Sequence, residues 1–249
     1  MPRLSSITIT GNEAVNIADC LDSLSFCDER VVVDGGSTDD TVTIAEKHGA
    51  VVYQHPWTDH GAQKNIALSH ATGDWVLMLD ADERVPPALA AEIKQAIEHD
   101  RADGFEVPRM SSFCGRWMRH SGWYPDYVIR LFRRNRGRFS EHRVHTRVIC
   151  DGKVERLATP LTHIPIRRLQ DSITKMNIYS TSGAEDVLES KRKVTFSSGI
   201  AHGLWTFLRC YFVQLGFLDG PEGFLLAVAN AEGAYYKYMK AWLAGRQRA

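Results

Sequence analysis

The 249-residue sequence predicts an α/β fold: a mostly parallel sheet with helices on both faces, followed by a helical C-terminal extension. Three observations predict it. Short β-branched runs alternate with segments of helical spacing through the first hundred residues. Those runs show no polar alternation, as strands buried on both faces require. From about Ile166 onward the pattern is helical.

The elements follow in order. Leu4–Thr10 (LSSITIT) reads as a strand, and Ile17, Cys20, Leu21 and Leu24 then recur at helical spacing. Arg30–Asp34 is an apolar strand that ends in a carboxylate, and Thr41–His48 is a helix stopped by Gly49. Ala50–Gln54 is a third strand, and Ala62–Ala71 a helix that ends before Gly73. Asp74–Leu79 is a fourth strand running into Asp80-Ala81-Asp82, and Pro86-Pro87 opens the helix Ala88–His99. The expected division is 1–165 for the sheet domain and 166–249 for the helical region.

Thirty Lys and Arg balance thirty Asp and Glu, which argues against bulk nucleic-acid coating, and no nucleic-acid partner is expected. Five widely spaced cysteines without a C-x-x-C suggest reduced thiols rather than a disulfide framework or zinc site. MPRLSSITIT lacks the charged region and long apolar run of a signal peptide. The longest apolar region, Gly199–Leu218, is interrupted by His202, Arg209 and Gln214, a poor candidate for crossing a bilayer.

In parallel sheets, ligands bind at the carboxyl ends of strands. Here those ends carry Thr10–Glu13, Asp34–Thr38 and Asp80–Asp82. The pair Asp80 and Asp82 suits a hard divalent cation, Mg²⁺ or Mn²⁺, that bridges to substrate phosphates; a solvated turn is the simpler alternative. Asp34 could accept hydrogen bonds from a nucleobase or ribose, while Ser37, Thr38 or Asp39 could cap the next helix. Asn12 could be only a helix cap. Lys64, on a helix that opens just after Gly61, could pair with a phosphate or be an ordinary solvated lysine.

Residues 101–147 hold eleven Arg, no Lys and four acids, a local charge of +7, with Phe113, Trp117, Trp123, Tyr124, Tyr127, Phe132 and Phe139 interleaved. Such a stretch can grip RNA or single-stranded DNA, hold phosphates of a glycan or anionic lipid headgroups, or form a structural lattice of arginines paired to backbone carbonyls. The C-terminal aromatics, with Lys237, Lys240, Arg246 and Arg248, suit a helix lying on a membrane or one packed as core.

SSITITGNEAVNIADCLDSL, VVVDGGSTDDTVTIAEKHGA, GAQKNIAL and GDWVLMLDADERV, as an ordered set over about residues 4–100, resemble the nucleotide-sugar domain of inverting family 2 glycosyltransferases, which have the Rossmann-like GT-A fold. WYPDYVIRLFRRNRGRFSEHRVH, LTHIPI and GFLDGPEGFLLAVANAEGAYYKYMK resemble the lipopolysaccharide core β-1,4-glucosyltransferase branch. The resemblance implies that Thr10, Glu13 and Asp34 line a uridine pocket, that Lys64 approaches the nucleotide, and that Asp80 and Asp82 hold a divalent metal and the diphosphate. It implies attack by an acceptor hydroxyl on the anomeric carbon, with inversion and a carboxylate base. Similar sequences carry V-H-E where this chain has Val144-His145-Thr146, so the acid expected at position 146 is missing. Asp126, Glu141 and His145 remain as candidates. Asp126 sits among Trp123, Tyr124 and Tyr127, which would raise its pKa if buried, or it pairs with Arg130.

The expectation is a cytoplasmic enzyme, peripheral on the inner face of the inner membrane. It would transfer a hexose, glucose from UDP-glucose first, to a lipid-linked bacterial glycan such as the lipopolysaccharide inner core. The alternatives are another acceptor (capsule, glycolipid or peptide) or a non-catalytic nucleotide-sugar or nucleic-acid binding module.

Overall fold

The computed structural model describes residues 2–140, 146–190 and 193–247. Its strands are β1 (Leu4–Thr10), β2 (Glu29–Asp34), β3 (Val51–Gln54), β4 (Trp75–Met78), β5 (Glu83–Arg84), β6 (Gly104–Phe113), β7 (Arg116–Trp117), β8 (Asp126–Arg133), β9 (Gly137–Phe139), β10 (Val148–Cys150), β11 (Val154–Arg156) and β12 (Leu161–Ile166). The helices are α1 (Ile17–Ser23), α2 (Thr41–Lys47), α3 (His60–His70), α4 (Pro87–His99), α5 (Leu169–Glu189), α6 (Phe196–Leu208) and α7 (Gly220–Gln247).

The main sheet runs β3-β2-β1-β4-β8-β6-β12-β5, with β7 and β11 also paired to β6. The first four strands in that order are mutually parallel. Beyond them β8 joins β4 antiparallel and β6 joins β8 antiparallel, so the Arg-rich middle of the chain extends the sheet. Strand alternation sorts the core into two layers. Leu4, Val32 and Leu77 pack with Leu21 of α1, Ala45 of α2 and Ile93 of α4. Ile7, Val31, Val33 and Met78 pack with Ala67 of α3, and with Phe132 and Phe139. Helices therefore cover both faces, and even Ser6, Thr8 and Thr10 of β1 are buried.

The chain forms two compact units. One comprises residues 1–109 and 126–163; the other comprises 110–125 and 164–249. The second unit thus takes in an internal segment as well as the C-terminal helices. Within it, Asp219 is buried and accepts hydrogen bonds from the backbone N–H groups of Arg119 and His120 and from Ser121 Oγ. Phe113 and Met118 pack there against Ile166 and Leu226. These contacts tie segments a hundred residues apart, which sequence periodicity does not encode. All five cysteines are unpaired, and burial pushes the Cys27 thiol up to about 12.

Candidate active site

The pairing of β2, β1 and β4 sets three polar strand ends side by side. After β1, the Asn12 side chain accepts the Thr38 backbone N–H at 2.8 Å, and the Asn12 N–H donates to Ser37 Oγ at 2.9 Å. Asn12 therefore ties two loops together rather than capping a helix; Asn16 stands at the start of α1. The Glu13 N–H donates to Thr41 Oγ1, and the Glu13 carboxylate accepts from Asn16 Nδ2 at 2.7 Å. Asp39 accepts from the N–H of Thr41, the first residue of α2, as a cap would.

Asp34 is buried. Its Oδ1 accepts from Thr10 Oγ1 at 3.1 Å and from Ser37 Oγ at 2.5 Å; its Oδ2 accepts from the N–H groups of Gly36 and Ser37. Burial alone would raise its pKa, but these donors hold it below the usual carboxylate range. Both oxygens shape the loop, so Thr10 and Asp34 act together as the wall of this corner. The Trp57 ring lies against Gly35, where a Cβ would come within 2.5 Å of it. Trp57 is part-exposed and meets His60 edge-on at 4.9 Å. It offers an aromatic surface beside the Asp34 loop that motif reading did not single out.

Lys64 is not a solvated lysine. It is buried on α3, whose N-terminus is capped by Asp59, and its Nζ lies 2.9 Å from Asp80 Oδ1. Arg130 Nη2 lies 2.7 Å from Asp80 Oδ2 and 2.5 Å from Glu83 Oε1. Glu83 is fully buried and also sits 3.4 Å from Arg109 Nη1, while Arg109 grips Asp126 through Nε at 2.9 Å and through Nη2. The result is a row of alternating charge, Lys64–Asp80–Arg130–Glu83–Arg109–Asp126. Burial would raise the Asp80 pKa, yet Lys64 and Arg130 hold it far below the carboxylate range. The same acids drive the Arg130 pKa up against the opposing effect of burial.

Asp126 therefore pairs with Arg109, and Arg130 turns to Asp80 and Glu83. The Asp126 side chain is 42% exposed, not enclosed by its aromatic neighbours. Glu141 and His145 lie outside the described residues. Asp82, two residues past Asp80, has Oδ2 at 3.5 Å from His163 Nε2. The antiparallel pairing of β5 with β12, which sets Glu83 opposite His163, brings them together across eighty residues of chain. Other arginines of the middle region are also engaged: Arg134 donates to the Gly73 carbonyl, Arg138 pairs with Asp151, and Arg133 pairs with Asp100 and Asp103. Of these three, Arg134 makes the carbonyl contact of a structural lattice, whereas Arg133 and Arg138 pair with carboxylates.

The model of the family described as Glycosyl transferase family 2 matches residues 5–151, more than half of the chain. The chain belongs to glycosyl transferase family 2. It is 31% identical over 251 residues to the lipopolysaccharide core biosynthesis glycosyltransferase LpsC of Rhizobium meliloti (strain 1021), covering 96% of this chain and 90% of that relative. It is 28% identical to an uncharacterized glycosyltransferase of Rickettsia conorii (strain ATCC VR-613 / Malish 7), over 96% of this chain and 89% of the relative. Among solved structures, S. aureus TarS 1–349 in complex with UDP is similar at a TM-score of 0.52 and 18% identity, covering 99% of this chain and 92% of that one. That likeness concerns the fold, which is of the GT-A type.

A GT-A glycosyltransferase implies a divalent cation. Asp82 and His163 fit one: a carboxylate in the turn that leads into β5 and an imidazole on β12, with chemistry that Mn²⁺ accepts, where phosphate oxygens and water would complete the coordination. Asp80 has both oxygens engaged by cationic side chains. Among the described residues no group of three or more His, Cys, Asp or Glu gathers into a metal site.

Proposed function

We propose that this family 2 glycosyltransferase transfers a hexose, glucose from UDP-glucose first, with inversion, to a lipid-linked bacterial glycan of the lipopolysaccharide inner-core class, on the cytoplasmic face of the inner membrane. The observation that carries the donor half is the cluster at the strand ends. Two buried cations, Lys64 and Arg130, are held by Asp80 beside the Asp82–His163 pair. Cations fixed in a buried corner suit a diphosphate, because they need no reorganisation as charge develops on the leaving group. The similarity to LpsC over nearly its whole length supports the acceptor class.

Thr10, Glu13 and the Asp34 loop would receive the uridine, with Trp57 beside it. Asp80 orients Lys64 and Arg130. Asp82 and His163 would hold Mg²⁺ or Mn²⁺, which when bound adds positive charge against the departing UDP. Asp126, part-exposed and steered by Arg109, is the base candidate within the described residues; it would take the acceptor hydroxyl proton as the oxygen attacks the anomeric carbon.

The test is a donor screen that follows UDP release with and without extracted lipopolysaccharide core. Slow, Mn²⁺- or Mg²⁺-dependent hydrolysis of a UDP-hexose, stimulated by core, is expected. Asp82→Ala should abolish it with the melting transition retained. Asp126→Asn should lower transfer by about 10²–10⁴-fold. Full transfer by Asp126→Asn removes Asp126 from the role and leaves Glu141 and His145 to be tested in the same way.

A further inference from the structure

The unit formed by residues 110–125 and 164–249 carries a surface the transfer reaction does not explain. α6 meets α7 through its smallest residues. A Cβ on Gly203 would lie 3.2 Å from Tyr235 Cβ and 3.3 Å from the Ala231 carbonyl oxygen, and one on Gly199 would collide with Met239. With glycines turned inward, the large apolar residues face out. Phe196, Ile200, Leu204, Leu208 and Phe212 recur every fourth position, and all are exposed, with Trp205 at 58%. The surface continues across the bend through Val213, Leu215, Phe217 and Leu218, and into α7 at Phe224 and Leu225, again exposed. From Val194 to Leu225 the only Lys, Arg, Asp or Glu residues are Arg209, Asp219 and Glu222. Asp219 is buried, and Glu222 sits beside Arg116. A run of this size in which Arg209 is the one exposed charged residue marks an interaction site.

Two observations identify the occupant. No single helix among the described residues is long and apolar enough to cross a membrane, but Phe196–Val213 and Gly216–Arg246 together reach that hydropathy and are bent by 71°. A bent pair suits burial in one leaflet rather than a span. The unit also holds thirteen Lys and Arg against seven Asp and Glu, a formal +6, whereas the other unit is −6. An anionic lipid surface complements that charge, and a second copy of the same face does not.

We propose that the elbow from Phe196 to Leu225 inserts into one leaflet of an anionic bilayer, with its bend immersed and the unit's basic residues at the headgroups. This deepens the lipid-linked acceptor reading by naming the membrane-binding segment. Vesicle binding needs no donor or turnover, so the two readings fail separately.

The full chain is mixed with phosphatidylcholine vesicles, with or without phosphatidylglycerol, and bound protein is separated by flotation. Binding to the anionic vesicles is expected, weakened by salt. The double variant Phe212→Ser, Val213→Ser should partition at least about tenfold less, with an unchanged melting transition and unchanged acceptor-free UDP-sugar hydrolysis. Should that variant misfold, Trp205→Phe provides an independent reading: the blue shift of fluorescence on vesicle addition should be lost with Trp205. Failure of the wild type to float overturns the proposal. So does binding that the serine variant retains with Trp205 emission unmoved, or a concentration-dependent dimer abolished by the same substitutions without lipid binding.

Discussion

Arg130 shows how one side chain joins fold to chemistry. It is buried, and its guanidinium serves two acids on separate residues, Asp80 and Glu83. Removing one partner of a buried pair leaves the other's charge uncompensated, so Arg130→Leu is expected to cost about 3–5 kcal/mol, read by urea unfolding. Conservative Lys64→Met should instead weaken donor binding first, seen as a rise in KM for the UDP-sugar, because Arg130 still satisfies Asp80. Asp80, Lys64 and Asp34 were legible in the sequence because each follows a strand or opens a helix in a recognisable place. Glu83, Arg109 and His163 were not. Their roles depend on partners 17 to 81 residues away, and only the pairings of β5 with β12 and of β6 with β8 supply them. Asp126 was legible as a carboxylate near aromatics, but its Arg109 partner and its exposure follow from register.

At the level of elements, the first hundred residues could be read almost strand by strand because a buried parallel sheet is written as unbroken apolar runs. The ends moved by one or two residues, and the two-residue β5, Glu83–Arg84, was not foreseen. The middle could not be read so. In β8, DYVIRLFR mixes charge and apolar residues because it flanks the polar row on one side and the core on the other: Arg130, Leu131 and Phe132 are all buried. A buried arginine mimics a surface position in any hydropathy pattern. The C-terminal helices were legible as helices, while the direction of their apolar faces was not, since aromatic residues at helical spacing describe a core face and an exposed one equally. Gly203 decides it. Gly203→Leu should force α6 off Tyr235 and cost about 1–3 kcal/mol in thermal or urea denaturation. Leu204→Gln, one residue along on the exposed face, should be nearly neutral by the same measurement.

The whole molecule is electrically neutral, yet its stability should depend on pH in one direction on the acid side. Asp34, Asp80, Glu29 and Glu92 all have carboxyl groups held below their ordinary values: burial opposes this, and hydrogen-bond donors or paired cations overcome it. A group depressed in the folded state adds stability above its unfolded pKa, and that stability is lost as protons return at lower pH. Chemical-denaturation midpoints should therefore hold from neutral pH down to about 5 and fall steadily below about 4, where the unfolded carboxylates titrate. Asp34→Asn, measured alongside, should be less stable at neutral pH and show a shallower acid decline. A parallel decline in the two proteins would mean that Asp34 contributes nothing to it.

The strand β12 has a consequence for anyone trimming this chain. It presents His163 to Asp82 within one compact unit, and from its very next residue, Ile164, the polypeptide belongs to the other. β6 behaves alike, carrying Arg109 as the last residue on one side of such a handover and Met110 as the first on the other. Neither half can be excised without cutting through a strand that also carries a candidate reaction-centre side chain, so lipid attachment and sugar transfer are better separated by single substitutions than by truncation.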